Sequence, residues 1–75
     1  MKKIKDIQIE LDVEYIKYLM EMNRYMTLTQ LADEIGVPLP TLSCAMTTRR
    51  VPLMKILYKM AVYFCVMVED LVKEI

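Results

Sequence analysis

The spacing of apolar positions changes along the chain, and each change marks an element. Residues 1–11 end in an alternation, with Ile7, Ile9 and Leu11 set against Gln8 and Glu10. Period two predicts a short strand or extended arm. Such a strand needs a partner, because one strand has no stability of its own. A second copy of the chain or the chain's own helices can provide it; the alternative is a frayed basic leader.

From Asp12 onward the period is helical. Asp12 is placed to cap a first helix over residues 13–24, with Ile16, Leu19 or Met20, and Asn23 on one face. Glu14, Lys17, Glu21 and Arg24 fall on the wet face as two i, i+3 pairs, each contributing about 0.2–0.5 kcal/mol. Thr27 caps a second helix over residues 28–35, which turns Leu31, Ala32 and Ile35 inward. Gly36 ends it, as a glycine that enters the left-handed region without strain. A third helix is predicted over residues 40–47, with Leu42 and Ala45 inward. Pro40 is acceptable there because a first-turn residue has no intrahelical N–H bond to lose. Residues 47–51 form a loop carrying Arg49 and Arg50. Pro52 then opens a fourth helix to Phe64, with Met54, Leu57, Met60, Ala61 and Phe64 on its inner face. A short fifth helix over residues 68–74 follows, with Leu71, Val72 and Ile75 apolar. The pattern predicts an all-α, compact five-helix domain over residues 12–75, preceded by an arm or short strand over residues 1–11.

Residues 28–47 form the centre of this pattern: helix, sharp turn, helix. Ala32 allows close approach, Gly36 makes the turn, and Val37 and Leu42 fill the space beneath, as in a helix-turn-helix unit. The chain resembles the phage-repressor helix-turn-helix family, also called Cro-like or XRE. The resemblance runs without gaps from Met26 to Val72. It rests on Thr27, Leu31-Ala32, Gly36-Val37, Thr41-Leu42-Ser43, Arg50, Pro52, Leu57, Ala61, Phe64, Val66 and Leu71. It implies a small sequence-specific, DNA-binding transcriptional regulator of phage or mobile-element type, with its third helix in the major groove of double-stranded DNA. It also implies a homodimer joined through the C-terminal helices.

Composition narrows the chemistry. A chain of 75 residues makes one small domain, and 56% hydrophobic residues are more than it can bury. Some apolar side chains must therefore face a partner or solvent. Ten basic and ten acidic residues give no net charge, so any grip on phosphate must come from a local basic patch. The chain has no histidine, no paired-carboxylate constellation, no glycine-rich phosphate loop and no nucleophile motif. Catalysis, a small-molecule substrate, a metal and other cofactors are therefore not expected. Cys44 and Cys65 lack ligand spacing and are expected as reduced, partly buried thiols in a cytoplasmic protein. The most apolar run, Met60 to Val68, has nine residues, against about 20 for a membrane span. Lys5, Asp6 and Glu10 interrupt the start as a targeting signal.

The resemblance places Leu39, Pro40, Ser43, Cys44 and Thr47 at the base edges. Relatives commonly carry Gln, Arg, Asn or Ser there; here only Ser43 and Thr47 have hydrogen-bonding side chains, and Leu39 can pack on a thymine methyl. Leu28 replaces a polar residue that relatives often direct at phosphate. Thr27, Thr41, Thr48, Arg49 and Arg50 are the phosphate candidates, the alternative for the loop being a solvated turn with Arg50 tied to a helix end. Ile56, Val62, Tyr63 and Ile75 are the dimer candidates, unless Val62 and Tyr63 pack within the chain. Leu39, Pro40, Cys44 and Met46 also make an apolar, uncharged patch of the kind that marks protein interfaces. The alternative function is therefore a modulator or antirepressor that binds another repressor through this helix.

Overall fold

The computed structural model describes residues 8–75. Their order is strand β1 (Ile9–Leu11), helices α1 (Val13–Met22), α2 (Leu28–Ile35), α3 (Leu39–Thr48) and α4 (Met54–Phe64), a 3-10 turn (Val68–Leu71) and strand β2 (Val72–Glu74). The expected five helices are thus four among the described residues, with a small sheet added. The part of the arm over residues 1–7, with Ile7 and the lysines Lys2, Lys3 and Lys5, lies outside the described residues.

Local chemistry sets the helix limits. The Asp12 carboxylate accepts the Tyr15 N–H at 3.1 Å and starts α1. That helix stops at Met22, two residues before the predicted end, because Arg24 and Tyr25 both take positive φ, +60° and +54°. Met26 N–H then bonds back to the Met20 carbonyl at 3.0 Å. A reciprocal cap opens α2: Thr27 Oγ1 accepts from Gln30 N–H and Gln30 Oε1 accepts from Thr27 N–H, at 3.2 and 2.8 Å. Gly36, at φ +68°, closes it with Gly36 N–H on Asp33 O and Val37 N–H on Ala32 O, the paired bonds of a Schellman end. A Cβ on Gly36 would meet nothing within 4 Å, so the demand for glycine there is one of backbone conformation rather than space.

The helix-turn-helix unit is therefore α2, the turn Gly36-Val37-Pro38, and α3. Its inner residues join one core. Leu11, Ile16, Leu31, Leu42, Leu57, Met60 and Leu71 are fully buried, drawn from both ends of the chain and all four helices. On α4 the inner face is Leu57, Met60 and Ala61; Phe64 is half-buried, and Met54, expected inside, is 66% exposed. Met54 is the first residue of α4, one turn beyond the packed part of the helix.

The fifth predicted helix fails for a reason at the other end of the chain. β1 pairs antiparallel with β2, Ile9 opposite Glu74, Glu10 opposite Lys73 and Leu11 opposite Val72. Ile75 N–H extends the ladder to Gln8 O at 2.9 Å. Leu71 still reaches the core from the 3-10 turn, and Val72–Glu74 then satisfies the backbone groups of β1 that would otherwise lack partners. The period-two strand therefore forms, and its partner is its own C-terminal segment. Asp12 N–H to Leu71 O and Leu11 N–H to Arg49 O, both 2.8 Å, fasten this ribbon to the helices. Among the described residues no helix is long and apolar enough to cross a membrane.

Candidate nucleic-acid interface

Burial of Leu42 and Ala45 orients α3 and leaves its opposite side in solvent. Leu39, Pro40, Cys44 and Thr47 are exposed there, and Ser43 is half-buried. Met46 turns toward the core and is half-buried. The expectation of partly buried thiols is corrected: Cys44 and Cys65 are both exposed. Cys44 lies on the outer side of α3, and Cys65 is the left-handed residue closing α4, at φ +58°.

Hydrogen bonding sorts the phosphate candidates. Thr48 Oγ1 donates to the Cys44 carbonyl at 2.8 Å and accepts from Arg50 N–H at 3.4 Å, so it finishes α3 internally. Thr27 Oγ1 is an acceptor in the cap of α2. Thr41 is exposed and its hydroxyl has no hydrogen bond among the described residues. Arg50 is exposed and its guanidinium forms no ion pair among the described residues. It lines a shallow apolar groove of about 470 Å³ with Pro40, Thr41, Cys44, Thr48 and Leu53.

Arg49 is placed differently from Arg50. Its guanidinium grips Glu14 with both terminal nitrogens, Nη1 to Oε1 at 2.9 Å and Nη2 to Oε2. Lys73 Nζ reaches Glu14 Oε1 at 3.1 Å and Glu10 Oε1 at 3.6 Å. Arg49, at φ +62°, also gives its carbonyl to Leu11 N–H. It is a bolt between α1, the end of α3 and the sheet, and this arrangement takes the place of the i, i+3 pair expected between Glu14 and Lys17. The loop is held to α1 by Arg49, while the Arg50 guanidinium makes no ion pair among the described residues.

This cluster carries a pH signature. Hydrogen bonds from Arg49 and then Lys73 hold the Glu14 carboxyl down at about 2, from an ordinary 4.5. Glu14 in turn raises both cations. A carboxyl depressed in the folded state stabilises it above the ordinary value and loses that contribution as pH falls through the folded one. The side chain of Glu14 is 57% exposed, so water screens the pair and the effect is modest. Glu14→Gln is expected to flatten the thermal midpoint against pH between about 4.5 and 2. Parallel wild-type and variant curves over that window would rule this role out.

A charge partition adds a feature that the zero net charge conceals. Residues 35–68 contain no Asp or Glu and carry Arg49, Arg50, Lys55 and Lys59. All ten acids lie before or after this segment. It comprises the turn, α3, the loop and α4. Lys55, exposed in the first turn of α4, is a cation that reasoning from the third helix alone passes over. Lys59 lines a separate groove with Glu34, Ile35, Tyr58 and Val62.

The dimer candidates are divided. Val62 and Ile75 are 57% and 72% exposed. Ile56 and Tyr63 are half-buried against the core. Tyr63 meets Phe64 edge-on with ring centroids 5.3 Å apart, and its hydroxyl accepts from Asn23 Nδ2 at 3.3 Å. Asn23, expected inside, is thereby exposed at the rim of α1. Met54 and Tyr58 are the exposed neighbours of Val62 at four-residue spacing on α4.

No protein-family model and no curated protein matches the chain. Among solved structures, the crystal structure of the transcriptional regulator VanUg is similar to it, with a TM-score of 0.70 over 100% of this chain and 97% of that chain, at 13% sequence identity. The likeness is one of architecture: this chain has the fold of that transcriptional regulator, with its helix-turn-helix unit in α2 and α3.

Proposed function

We propose that this chain is a small DNA-binding transcriptional regulator of phage or mobile-element type that lays α3 in the major groove of double-stranded DNA. One observation carries the reading. The exposed side of α3 lies within an acid-free segment, and beside it Arg50 offers a guanidinium without an ion pair among the described residues. Arg49 is engaged by Glu14 and Lys59 lies beside Glu34, which leaves Arg50 and Lys55 as the cations of this segment that can attract the phosphate backbone even at zero net charge. Ser43 and Thr47 supply hydroxyls toward base edges, while Arg50 and Thr41 face the backbone. The fold shared with a transcriptional regulator supports the same reading. The protein acts in the cytoplasm as a homodimer, with Val62, Tyr58 and Met54 of α4 as the exposed apolar side available for pairing.

Fluorescence anisotropy with a labelled mixed-sequence duplex tests this across a salt series. Affinity is expected to fall with salt, with a logarithmic slope of about −0.9 for each phosphate neutralised. No binding at low salt, or binding indifferent to salt, contradicts the reading. A second reading has support in the uncharged, apolar character of Leu39, Pro40 and Cys44: capture of another repressor by α3. In that case Leu39→Glu removes function and Arg50→Ala does not.

A further inference from the structure

We infer that α3 reads thymine by its 5-methyl group, through Leu39, Pro40 and Cys44, so that the DNA half-site is rich in thymine beneath them. The inference rests on the DNA reading above and specifies its chemistry.

Each base pair presents a distinct pattern in the major groove. Guanine, adenine and cytosine are told apart by hydrogen bonds, whereas thymine alone adds a methyl group. Between Leu39 and Thr48, α3 contains no Arg, Lys, Asn, Gln, Asp or Glu. It therefore cannot make the paired bonds that identify guanine or adenine, nor accept from the cytosine amine with a carboxylate. Ser43 and Thr47 each bring a single hydroxyl, which pairs with several bases alike.

The backbone does not make up the shortage. Pro38 and Pro40 have no N–H. The N–H groups of Thr41 and Leu42 both go to the Pro38 carbonyl, at 3.1 and 3.2 Å. In the first turn of α3 only Leu39 retains an N–H without a hydrogen bond among the described residues. The entering end of the helix is thus a hydrocarbon surface, with Leu39 38% exposed and Pro40 and Cys44 exposed beside it. A guanine edge pressed against that surface would lose its bonds to water and gain none. A thymine methyl buries apolar area there and has no hydrogen bond of its own to lose, although the O4 acceptor lies beside it.

The test begins with selection from a randomised duplex pool. The selected duplex is then compared with the same sequence carrying uracil in place of thymine. Uracil keeps every hydrogen-bonding atom and removes only the methyl. Binding is expected to weaken about fourfold for each covered methyl removed. Leu39→Ala is exposed enough to leave the fold intact and should narrow the difference between thymine and uracil, whereas Arg50→Ala should weaken both duplexes equally. Equal affinity for the two duplexes overturns methyl recognition while leaving DNA binding standing. Failure of every duplex to bind at low salt overturns the DNA reading itself, and methyl recognition with it.

Discussion

Leu42→Ala is expected to lower the unfolding free energy by about 2–5 kcal/mol. Leu42 is 0% exposed, on the inner side of α3, and belongs to the core that also holds Leu31, Leu57 and Met60. Truncation removes buried hydrocarbon and leaves a space that a rigid neighbourhood closes only in part. A domain of 75 residues has about 4–11 kcal/mol in total. The variant is therefore expected to stay folded at room temperature over most of that range, with its reserve roughly halved, and to unfold only where the smallest total meets the largest loss. Urea denaturation followed by circular dichroism reads the effect as a fall in the midpoint. A loss below about 1 kcal/mol would mean that α3 is not anchored by this side chain, and the orientation assigned to its outer surface would fall with it.

The second large effect separates two adjacent arginines. Arg50→Glu is expected to weaken duplex binding about ten- to hundredfold, the scale of a charge-assisted hydrogen bond to phosphate. Arg50→Ala should lower the salt slope by about 0.9. Arg49→Ala should leave that slope unchanged, because Glu14 already engages the Arg49 guanidinium. Its effect should instead appear in the thermal midpoint, through the loss of the contact joining α1 to the end of α3. Binding titrations and melting curves on the same three variants decide the matter. If Arg49→Ala reduces the salt slope as much as Arg50→Ala, Arg49 leaves Glu14 to meet phosphate, and its role as a bolt is not its only one.

Those two arginines also mark where the sequence becomes hard to read. The limits of α2 were legible because each end has a local cause, the Thr27–Gln30 cap and Gly36. Likewise, the inward turn of Leu42 and Ala45 follows from helical spacing, and with it the exposure of Pro40 and Thr47; the exposure of Cys44 does not fit the partly buried thiol expected there. The C-terminal segment was not legible. Its apolar residues suit a helix, but β1 required a partner and found it there. Nor was the role of Arg49. Its partner lies 35 residues upstream, on a face where Lys17 was the obvious local choice. Cys65 stands at positive φ without being glycine, so ordinary propensity gave no warning of that turn. The acid-free segment over residues 35–68 is masked in the total, because the ten acids lying before and after it balance the ten cations.

An amide-proton NMR titration with a mixed-sequence duplex at low salt, repeated at high salt, tests the central claim most directly. Salt-sensitive shifts are predicted over residues 39–50 and at Lys55, with α1 little changed. An unchanged spectrum at low salt would contradict the account, as would shifts confined to α1 and the sheet.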